Sequence, residues 1–580
     1  MFLPVTLEEA HALGWRQFDV ILVTGDGYVD SPFIGVAVIG NMLALHGYRV
    51  GVIAQPDIHS EKDIARLGEP LLFWGVTSGS VDSMVANYTA TGKRRKQDDY
   101  TPGGMNTRRP DRAVIVYANL IRRFFKSTAP IVLGGIEASL RRIPHFDFWT
   151  RTIRRSILLD ARADILVYGM GEYTVLALAE RLRCGESCAE VRGVCHISNT
   201  PPPDYLRLDP YETVCDDPVA FSRMFQLFYR NNDPLTASGL CQKHAGRWLI
   251  HNPPAFPLSP SELDAVYDLK YERELHPYYR KQGTVRALET IRFSIVTHRG
   301  CYGECNFCAI AIHQGRTIQS RSEKSILAEV NHIKTHPEFK GIISDIGGPT
   351  ANMYGIECQK KQRKGACLDK RCLYPHVCER LGVNHGRQIR LLAAIRNMDG
   401  VRRVFVASGI RYDLILADRV FGERYLTDVI EHHTSGQMKI APEHTEADVL
   451  ARMGKPGPEL LQTFKRLFDH IRQQVAATSC RQTYLTYYMM AAHPGCTQTH
   501  MQRLRAFVLR YLKIVPEQVQ IFTPTPSTIS TLIYHAGIDP DSGAAVFCEK
   551  NALKKEKQKQ ALLNRDVSDN SQGASRRFRP

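Results

Sequence analysis

The order of apolar and polar positions divides the chain into two α/β regions. In residues 1–200, apolar runs of strand length alternate with longer stretches of helical period, and the runs lie at 20–23, 50–53, 71–76, 131–133 and 165–167. Near-continuous apolar strands separated by helices indicate a parallel sheet that is buried on both faces. We therefore predict a doubly wound α/β domain over residues 1–200.

A second alternating series occupies residues 286–540. Its apolar runs lie at 291–296, 341–346, 404–407, 438–441, 483–489 and 519–522, with helical stretches between them. Six parallel strands with crossover helices predict a partial (β/α)6 barrel whose site lies at the carboxyl ends of the strands. Residues 201–285 are interrupted by prolines, including Pro201-Pro202-Pro203, and are predicted to form an irregular connector.

The chain is basic, and its C-terminal segment carries a large share of the excess charge. In 580 residues there are 75 Lys and Arg against 59 Asp and Glu, a formal charge of +16. Residues 550–580 contain nine basic and three acidic side chains, a net +6, and few apolar ones. We therefore predict that residues 541–580 form a basic, disordered tail. The charge permits an anionic partner such as RNA without identifying one.

Cysteine use suggests metal chemistry in a reducing compartment. No run approaches the ~20 apolar residues that span a bilayer, and residues 1–12 lack the basic start of a secretory signal. We therefore expect a cytoplasmic protein without a membrane partner. Seven of the fifteen cysteines fall in two groups between Cys301 and Cys378. In such a compartment grouped cysteines bind metal more often than they form disulfides.

The strongest motif is the loop Cys301-Tyr-Gly-Glu-Cys305-Asn-Phe-Cys308, directly after the first strand of the predicted barrel. Three thiolates at this spacing can hold three irons of a [4Fe–4S] cube and leave the fourth iron open to an exogenous ligand. The alternative is a structural zinc with His298 as fourth ligand. The position of the loop after a strand favours the iron–sulfur cluster.

The chain resembles the radical S-adenosylmethionine superfamily, and within it the YgiQ family. The cysteine loop carries the first resemblance. The second is carried by the motifs Thr24-Gly-Asp-Gly-Tyr-Val-Asp-Ser-Pro, Asp345-Ile-Gly-Gly-Pro-Thr-Ala-Asn, Ala441-Pro-Glu-His-Thr, Met453-Gly-Lys-Pro, His493-Pro-Gly-Cys-Thr and Phe522-Thr-Pro-Thr-Pro-Ser. The resemblance implies an enzyme that cleaves S-adenosylmethionine to a 5′-deoxyadenosyl radical acting on an unknown substrate. It also implies a low-potential electron donor of the flavodoxin or ferredoxin type.

The same resemblance implies which residues meet S-adenosylmethionine. Gly347 and Gly348 match the Gly-Gly step whose backbone meets the methionine amino group, although the Glu that usually follows this step is absent here. Ser408 and Arg411 match positions that reach the ribose and the carboxylate. Phe307, just before the third cysteine, is placed to pack beside the adenosyl group.

The N-terminal domain resembles the cobalamin-binding-like domains that precede many radical S-adenosylmethionine barrels. Domains that ligate cobalamin through histidine show Asp-x-His-x-x-Gly after the first strand. Here the corresponding stretch is Asp30-Ser-Pro-Phe-Ile-Gly35, which has no histidine. Cobalamin is therefore not expected in that mode.

A second cysteine group, Cys358, Cys367, Cys372 and Cys378, lies in a Lys-rich insertion over residues 355–385. Four thiolates at this spacing predict a second metal site, either zinc or an auxiliary iron–sulfur cluster. The alternative is a set of scattered thiols in a mobile loop.

Two further hypotheses are weaker. Glu443, His444 and His493 lie at or beyond strand ends, where histidines are more often structural than active in proton transfer. The rival to an enzyme is a non-catalytic iron–sulfur protein, for instance an RNA-associated sensor that uses the cluster and the basic tail.

Overall fold

The computed structural model describes residues 1–479 and 482–563. Up to residue 251 the strands are β1 Val20–Thr24, β2 Val29–Asp30, β3 Val50–Ala54, β4 Phe73–Thr77, β5 Ile131–Leu133, β6 His145–Asp147, β7 Thr152–Arg154, β8 Ile165–Val167, β9 Val194–Ser198, β10 Leu206–Arg207, β11 Leu240–His244 and β12 Arg247–His251. The helices of this stretch are α1 Leu7–Ala12, α2 Gly35–Leu45, α3 Ser83–Asn87, α4 Ala113–Phe124, α5 Gly135–Leu140, α6 Ile157–Asp160, α7 Glu172–Arg183, α8 Tyr211–Asp216 and α9 Pro218–Arg230.

One large sheet organises this half of the chain, in the order β10–β11–β12–β9–β8–β5–β4–β1–β3. Strand β1 is buried along its whole length and pairs in parallel with β3 and β4. Strands β4, β5 and β8 continue the parallel ladder. These strands are continuous apolar runs because helices cover both faces of the sheet. The predicted, mostly parallel α/β sheet is confirmed.

The prediction of an irregular connector over residues 201–285 is wrong, because β10, β11 and β12 extend the large sheet. Strands β11 and β12 form an antiparallel hairpin, and β12 pairs with β9. The hairpin turns at Ala245-Gly246, where Ala245 has φ 50° in the left-handed region. Strand β11 is apolar only at Leu240 and Cys241 and polar over its other three residues, so it contains no apolar run of the kind that marked the central strands.

The remaining elements begin with a short linking region of α10 Pro260–Tyr267, β13 Glu274–Leu275, α11 Pro277–Arg280 and α12 Leu288–Ile291. The strands that follow are β14 Ser294–Val296, β15 His298–Arg299, β16 Gln319–Ser320, β17 Ile342–Ile343, β18 Asp345–Gly347, β19 Arg403–Val404, β20 Gln437–Glu443, β21 Tyr484–Ala491 and β22 Gln518–Ile521. The helices are α13 Ile310–Gln314, α14 Glu323–Lys334, α15 Gln359–Lys364, α16 Gly386–Arg396, α17 Tyr412–Ala417, α18 Gly422–His432, α19 Ala447–Met453, α20 Pro458–Ser479, α21 Gln498–Phe507, α22 Ile529–Ala536 and α23 Ala552–Leu563.

Apart from the short β15–β16 pair, this second series is also parallel. Strand β14 pairs with β18, β17 pairs with β19, and β20, β21 and β22 form a third ladder in chain order. Strand β2 of the N-terminal half pairs with β13, which ties the two halves together. Over residues 1–479 and 482–563, no helix combines the length and apolar character needed to cross a membrane.

The predicted disordered tail is wrong for residues 552–563, which form α23 and pack on α21, β21 and β22. Gln558 accepts a hydrogen bond from the Ala492 N–H at 2.9 Å and donates to the Cys496 carbonyl at 3.2 Å. Leu562 is buried, and so is Lys555, whose Nζ donates to the Tyr534 hydroxyl at 3.1 Å. This polar helix is ordered because its few inward-facing side chains, Lys555, Gln558 and Leu562, are buried against neighbouring elements. Residues 564–580 of the predicted tail lie outside the described residues.

We expect truncation after Phe547 to destabilise the protein. The truncation removes the buried Leu562 and leaves the backbone partners of Gln558 unpaired, which together cost ~2 kcal/mol or more. Thermal unfolding followed by circular dichroism measures the change. A chain ending at Leu563 retains every described contact of α23 and is the control. Equal melting temperatures for the two truncations would contradict the packing role of α23.

Candidate functional site

The cysteine loop leaves the strand series immediately after β14 and β15. Strand β15 pairs antiparallel with β16, which closes the base of the loop. Gly300 has φ 81°, and a Cβ at this position would lie 2.1 Å from the Thr317 carbonyl oxygen. Only glycine fits such a position without displacing backbone. The chain therefore turns sharply just before Cys301, and α13 begins just after Cys308.

The interior of the loop is a cradle suited to a cluster. The Gly303 N–H donates to the Cys301 Sγ at 3.3 Å. A Cβ at Gly303 would lie 3.2 Å from the Cys301 Sγ and 3.6 Å from the Cys305 Sγ. Burial, and then the neighbouring Cys305, raises the pKa of the Cys301 thiol, and the same two causes raise the pKa of Cys308 to about 12. All three cysteines are partly buried and lie in one short loop, as a cluster held by three thiolates would require.

The zinc alternative depends on His298 as its fourth ligand. Within the described part of the chain, no group of three or more His, Cys, Asp or Glu side chains is arranged to hold a single metal ion. His298 hydrogen-bonds through Nδ1 to the Thr297 hydroxyl at 2.9 Å, and its buried Nε2 has no hydrogen-bond partner among residues 1–479 and 482–563. Three thiolates in one loop are the donor set of an iron–sulfur cube, whereas structural zinc usually takes ligands from C-x2–4-C pairs.

Asn306 anchors the loop to α19 and α22. Its N–H donates to the Met453 carbonyl at 2.9 Å, and its Nδ2 donates to the Arg452 carbonyl at 2.9 Å. Its own carbonyl accepts the Ser530 N–H at 2.9 Å, and its Oδ1 accepts from Arg371 at 2.6 Å. The Met453-Gly-Lys-Pro motif is thus part of the support of the cysteine loop.

Arg411 lies against the thiols. Its Nε donates to the Asp413 Oδ1 at 2.9 Å, and its Nη1 lies 3.7 Å from the Cys305 Sγ. Burial lowers and the Asp413 carboxylate raises the pKa of Arg411, with a net upward shift, so the group is charged. A fixed guanidinium beside the cysteines offsets negative charge on thiolates. The predicted contact with a cofactor carboxylate stays a prediction.

Gly347 and Gly348 end β18, and Ser408 follows β19 beside them. The Gly347 carbonyl accepts the Thr297 N–H at 2.7 Å. A Cβ at Gly348 would lie 2.6 Å from the His298 carbonyl oxygen, so this step requires glycine. The Ser408 hydroxyl donates to Asp345, which also accepts the Ser408 N–H at 3.2 Å.

Phe307 packs edge-on against His493, with ring centroids 6.2 Å apart. His493 is fully buried, and its Nε2 lies 2.7 Å from the Ser530 hydroxyl. Burial lowers the pKa of His493 to about 3, so the imidazole is neutral. His493 therefore serves as a packed, hydrogen-bonded support for the aromatic neighbour of the third cysteine.

The other strand-end residues of the sequence analysis separate from one another. Glu443 is buried at φ 68°, and its Oε1 lies 3.9 Å from Lys455 Nζ, which donates to the Ala441 carbonyl at 2.7 Å. Burial raises the pKa of Glu443. His444 instead faces Cys496, with Nε2 3.6 Å from Sγ. Burial lowers the pKa of His444 to about 3, which fits a structural role.

A cavity of about 520 Å³ lies between the N-terminal sheet and the second strand series. The glycine-rich loops after β1, β4, β5 and β8 form one wall, and residues at the ends of β14, β18 and β19 form the other. Gly347, Gly348 and Ser408 line it. Carboxyl ends of parallel strands from both sheets thus face one space, where ligands of α/β proteins bind.

Two buried polar contacts join the walls of this cavity. Arg299 Nη1 lies 2.7 Å from Glu172 Oε1, and each side chain is 3% exposed. His313 Nδ1 lies 3.0 Å from the Ser139 hydroxyl. Arg299 and His313 flank the cysteine loop in sequence, so the N-terminal sheet is fixed directly to both ends of that loop.

The loop after β1 is held from behind by a buried ion cluster. Arg109 pairs with Asp26 at 2.8 Å and with Asp98 at 2.9 Å, and all three side chains are buried. Asp26 also accepts the Ser80 N–H at 2.6 Å. The Thr24-Gly-Asp-Gly motif is therefore a structural part of the cavity wall.

The insertion brings three of its four cysteines together. Cys358, Cys372 and Cys378 share one small hydrophobic cluster, whereas Cys367 lies outside it. Sequence reasoning missed the partners that hold the site, namely Asn306, Asp345, Asp413 and Glu172. Asn306, Asp345 and Glu172 act across long sequence separations, whereas Asp413 is two residues from Arg411. Asn306 and Asp345 stand within motifs already quoted, and the other two carried no signal.

Comparisons with known proteins agree with this geometry. A family profile described as Radical SAM N-terminal matches residues 2–294. A UPF0313 protein of Fusobacterium nucleatum is 53% identical over 565 residues, covering 97% of this chain and 99% of that protein. A UPF0313 protein of Thermotoga maritima is 47% identical over 566 residues, covering 97% of this chain and 98% of that one.

Among solved structures, the fold resembles the radical S-adenosylmethionine methyltransferase TsrM from Kitasatospora setae. The complex of TsrM with tryptophan substrate and a S-adenosylmethionine analogue matches with TM-score 0.51 and 16% identity, over 88% of this chain and 74% of that one. The form with cobalamin and a [4Fe–4S] cluster matches with TM-score 0.50 and 16% identity, over 89% and 74%. At this identity the likeness concerns the fold.

We expect Asn306→Ala to weaken the cysteine loop. The substitution removes the two side-chain hydrogen bonds and leaves the Arg452 carbonyl without its donor, at a cost of about 1–3 kcal/mol. Iron retained per chain after anaerobic reconstitution and gel filtration should fall below that of the unmutated protein. Full retention of iron at unchanged stability would show that the loop does not depend on this anchor.

We expect Gly348→Ala to weaken the binding of S-adenosylmethionine without affecting the cluster. The new Cβ collides with the His298 backbone, so the 347–350 loop must move, while the cysteines are untouched. Equilibrium binding of S-adenosylmethionine should weaken at least about tenfold, ~1.4 kcal/mol, with iron content unchanged. Gly409→Ala is the matched control, because its Cβ meets nothing within 4 Å. Equal binding by both variants would remove Gly348 from the binding site.

Proposed function

The chain belongs to the UPF0313 family, the YgiQ family of radical S-adenosylmethionine proteins, and on that premise we propose that it is a radical S-adenosylmethionine enzyme. Cys301, Cys305 and Cys308 would hold a [4Fe–4S] cluster. S-adenosylmethionine would bind between the cluster and the cavity, within a partial (β/α)6 barrel formed by β14 to β22. The substrate is unidentified and would occupy the cavity.

One observation carries this proposal, namely the cradle over Gly303. Two thiols, the Arg411 guanidinium and a backbone N–H surround a space that any Cβ at this position would fill, with Arg411 Nη1 at 2.9 Å. The Cys301 Sγ lies 3.5 Å from the Thr350 hydroxyl, and Gly347, Gly348 and Pro349 of the same loop line the cavity of about 520 Å³. A cluster on these thiols would therefore lie next to a cofactor-sized space.

The chemistry comes from the bound groups, and the protein positions them. When bound, a reduced cluster supplies the electron that cleaves the sulfonium of S-adenosylmethionine, with a low-potential flavodoxin- or ferredoxin-like protein as the proposed donor. Arg411 offsets negative charge at the thiolates. Asp345 fixes the Ser408 hydroxyl at the cavity edge. The N-terminal sheet and its loops form one wall of the cavity.

Cobalamin is not part of the proposal as a histidine-ligated cofactor. TsrM, in one of the matching structures, contains cobalamin. In this chain the cavity is lined from the N-terminal side by Phe33 and Gly35 of the Asp30-Ser-Pro-Phe-Ile-Gly35 stretch. The histidines lining it, His298 and His313, come from the second strand series. A corrinoid bound without a histidine ligand is compatible with these residues, and metal analysis for cobalt tests it.

Anaerobic reconstitution tests the enzyme proposal. We expect about four irons at the first site and release of 5′-deoxyadenosine from S-adenosylmethionine after reduction with dithionite. Cys305→Ala should lose both the iron and the release, because two thiolates do not retain the cube. Cys184→Ala, at an exposed cysteine far along the chain, is the matched control.

Two outcomes would contradict the proposal. Zinc in place of iron at the first site would remove the cluster. A full iron content without 5′-deoxyadenosine release would instead favour the non-catalytic iron–sulfur protein, and RNA binding that weakens steeply with salt would then identify an RNA-associated sensor.

A further inference from the structure

The insertion over residues 355–385 packs directly onto the first cysteine loop. Cys358, Cys372 and Cys378 lie in one hydrophobic cluster that also includes Cys301 and Tyr302. Cys358 is buried, and the other two insertion cysteines are partly buried. Three cysteines that are distant in sequence from Cys301 thus converge beside it.

Backbone hydrogen bonds that close the insertion also position its cysteines. Cys358 is the residue immediately before α15. The Cys378 N–H donates to the Cys372 carbonyl at 2.8 Å, which folds that segment into a turn. The Gly382 N–H donates to the Glu357 carbonyl at 3.2 Å and brings the two ends of the insertion together. Each cysteine is therefore placed by backbone contacts.

Cys367 is excluded from this group. Its Sγ accepts a hydrogen bond from Lys360 Nζ at 3.1 Å. The adjacent Ala366 N–H donates to Asp233 at 2.9 Å, which directs this part of the insertion toward the N-terminal half. The thiol of Cys367 is therefore bonded to Lys360 and does not join the other three cysteines.

A buried lysine lies beside Cys372. Lys361 Nζ is 4.0 Å from the Cys372 Sγ and 3.6 Å from Glu304 Oε1. It also lies over the Tyr302 ring, with Nζ 5.3 Å from the centroid. Lys361 is only 5% exposed. A desolvated ammonium at this place offsets the charge of a thiolate-ligated metal and links the insertion to the first loop.

We propose that Cys358, Cys372 and Cys378 hold an auxiliary [4Fe–4S] cluster next to the first one. Structural zinc takes four ligands, and the thiol of Cys367, the fourth cysteine of the insertion, is bonded to Lys360. Cys358, Cys372 and Cys378 offer the three thiolates that can hold three irons of a cube. The polar insertion has few apolar side chains of its own, and a bound cluster would stabilise its fold.

The test counts iron with the first site removed. A Cys301→Ala, Cys305→Ala, Cys308→Ala triple variant, reconstituted anaerobically with iron and sulfide, should retain about four irons per chain. After reduction it should show a [4Fe–4S] electron paramagnetic resonance signal that does not change on adding S-adenosylmethionine. Adding Cys358→Ser, Cys372→Ser and Cys378→Ser should remove that iron. Adding Cys367→Ser instead should leave it, which makes Cys367 the matched control.

An unmutated first site provides an independent count if the combined variants fail to fold. The full-length protein should then hold about eight irons, and Cys358→Ser, Cys372→Ser, Cys378→Ser should hold about four. No iron in the first triple variant, one stoichiometric zinc in the insertion, or equal loss of iron in Cys367→Ser would each overturn the proposal. Failure here leaves the first cluster and the release of 5′-deoxyadenosine unaffected, so the two proposals are tested separately.

Discussion

The buried ion pair between Arg299 and Glu172 is the contact on which the arrangement of the two halves depends. Glu172 opens α7 at the carboxyl end of the N-terminal sheet, where the helix dipole favours a carboxylate. Arg299 stands two residues before Cys301 and also bonds the Tyr267 hydroxyl at 2.9 Å. Removing one member of such a pair costs ~3–5 kcal/mol, because the other charge is left buried. The pair therefore fixes the cysteine loop to the opposite sheet.

From this constraint the cavity follows. Two sets of parallel strands end toward each other, and their loops meet across the ion pair and the contact between His313 and Ser139. Each wall is stiffened from behind, on one side by Arg109 with its two aspartates and on the other by the anchors of Asn306. A cavity between two rigid walls keeps its shape without a ligand, which reduces the cost of binding one.

The sequence predicts this molecule well where its signals are local. Central strands such as β1 and β5 appear as unbroken apolar runs, and the cysteine loop is a compact motif. The hairpin of β11 and β12 is not predicted, because β11 has a mixed pattern and the turn at Ala245-Gly246 is short. Helix α23 is not predicted either, because its overall composition is polar although Gln558 and Leu562 face inward. The supports of the site depend on contacts between distant segments, as between Asn306 and Met453, which no single-sequence pattern encodes.

Helix α23 also sets the point during synthesis at which the fold around β22 can be completed. Strand β22 is the last strand of its ladder, and α23 packs against it. At translation rates of about 5–20 residues per second, the N-terminal sheet can fold while the rest is still being made. The surface of β21 and β22 that α23 contacts stays uncovered until residue 563 has left the ribosome. A nascent chain thus exposes this surface for the last part of its synthesis, the interval in which chaperones shield such surfaces from other chains.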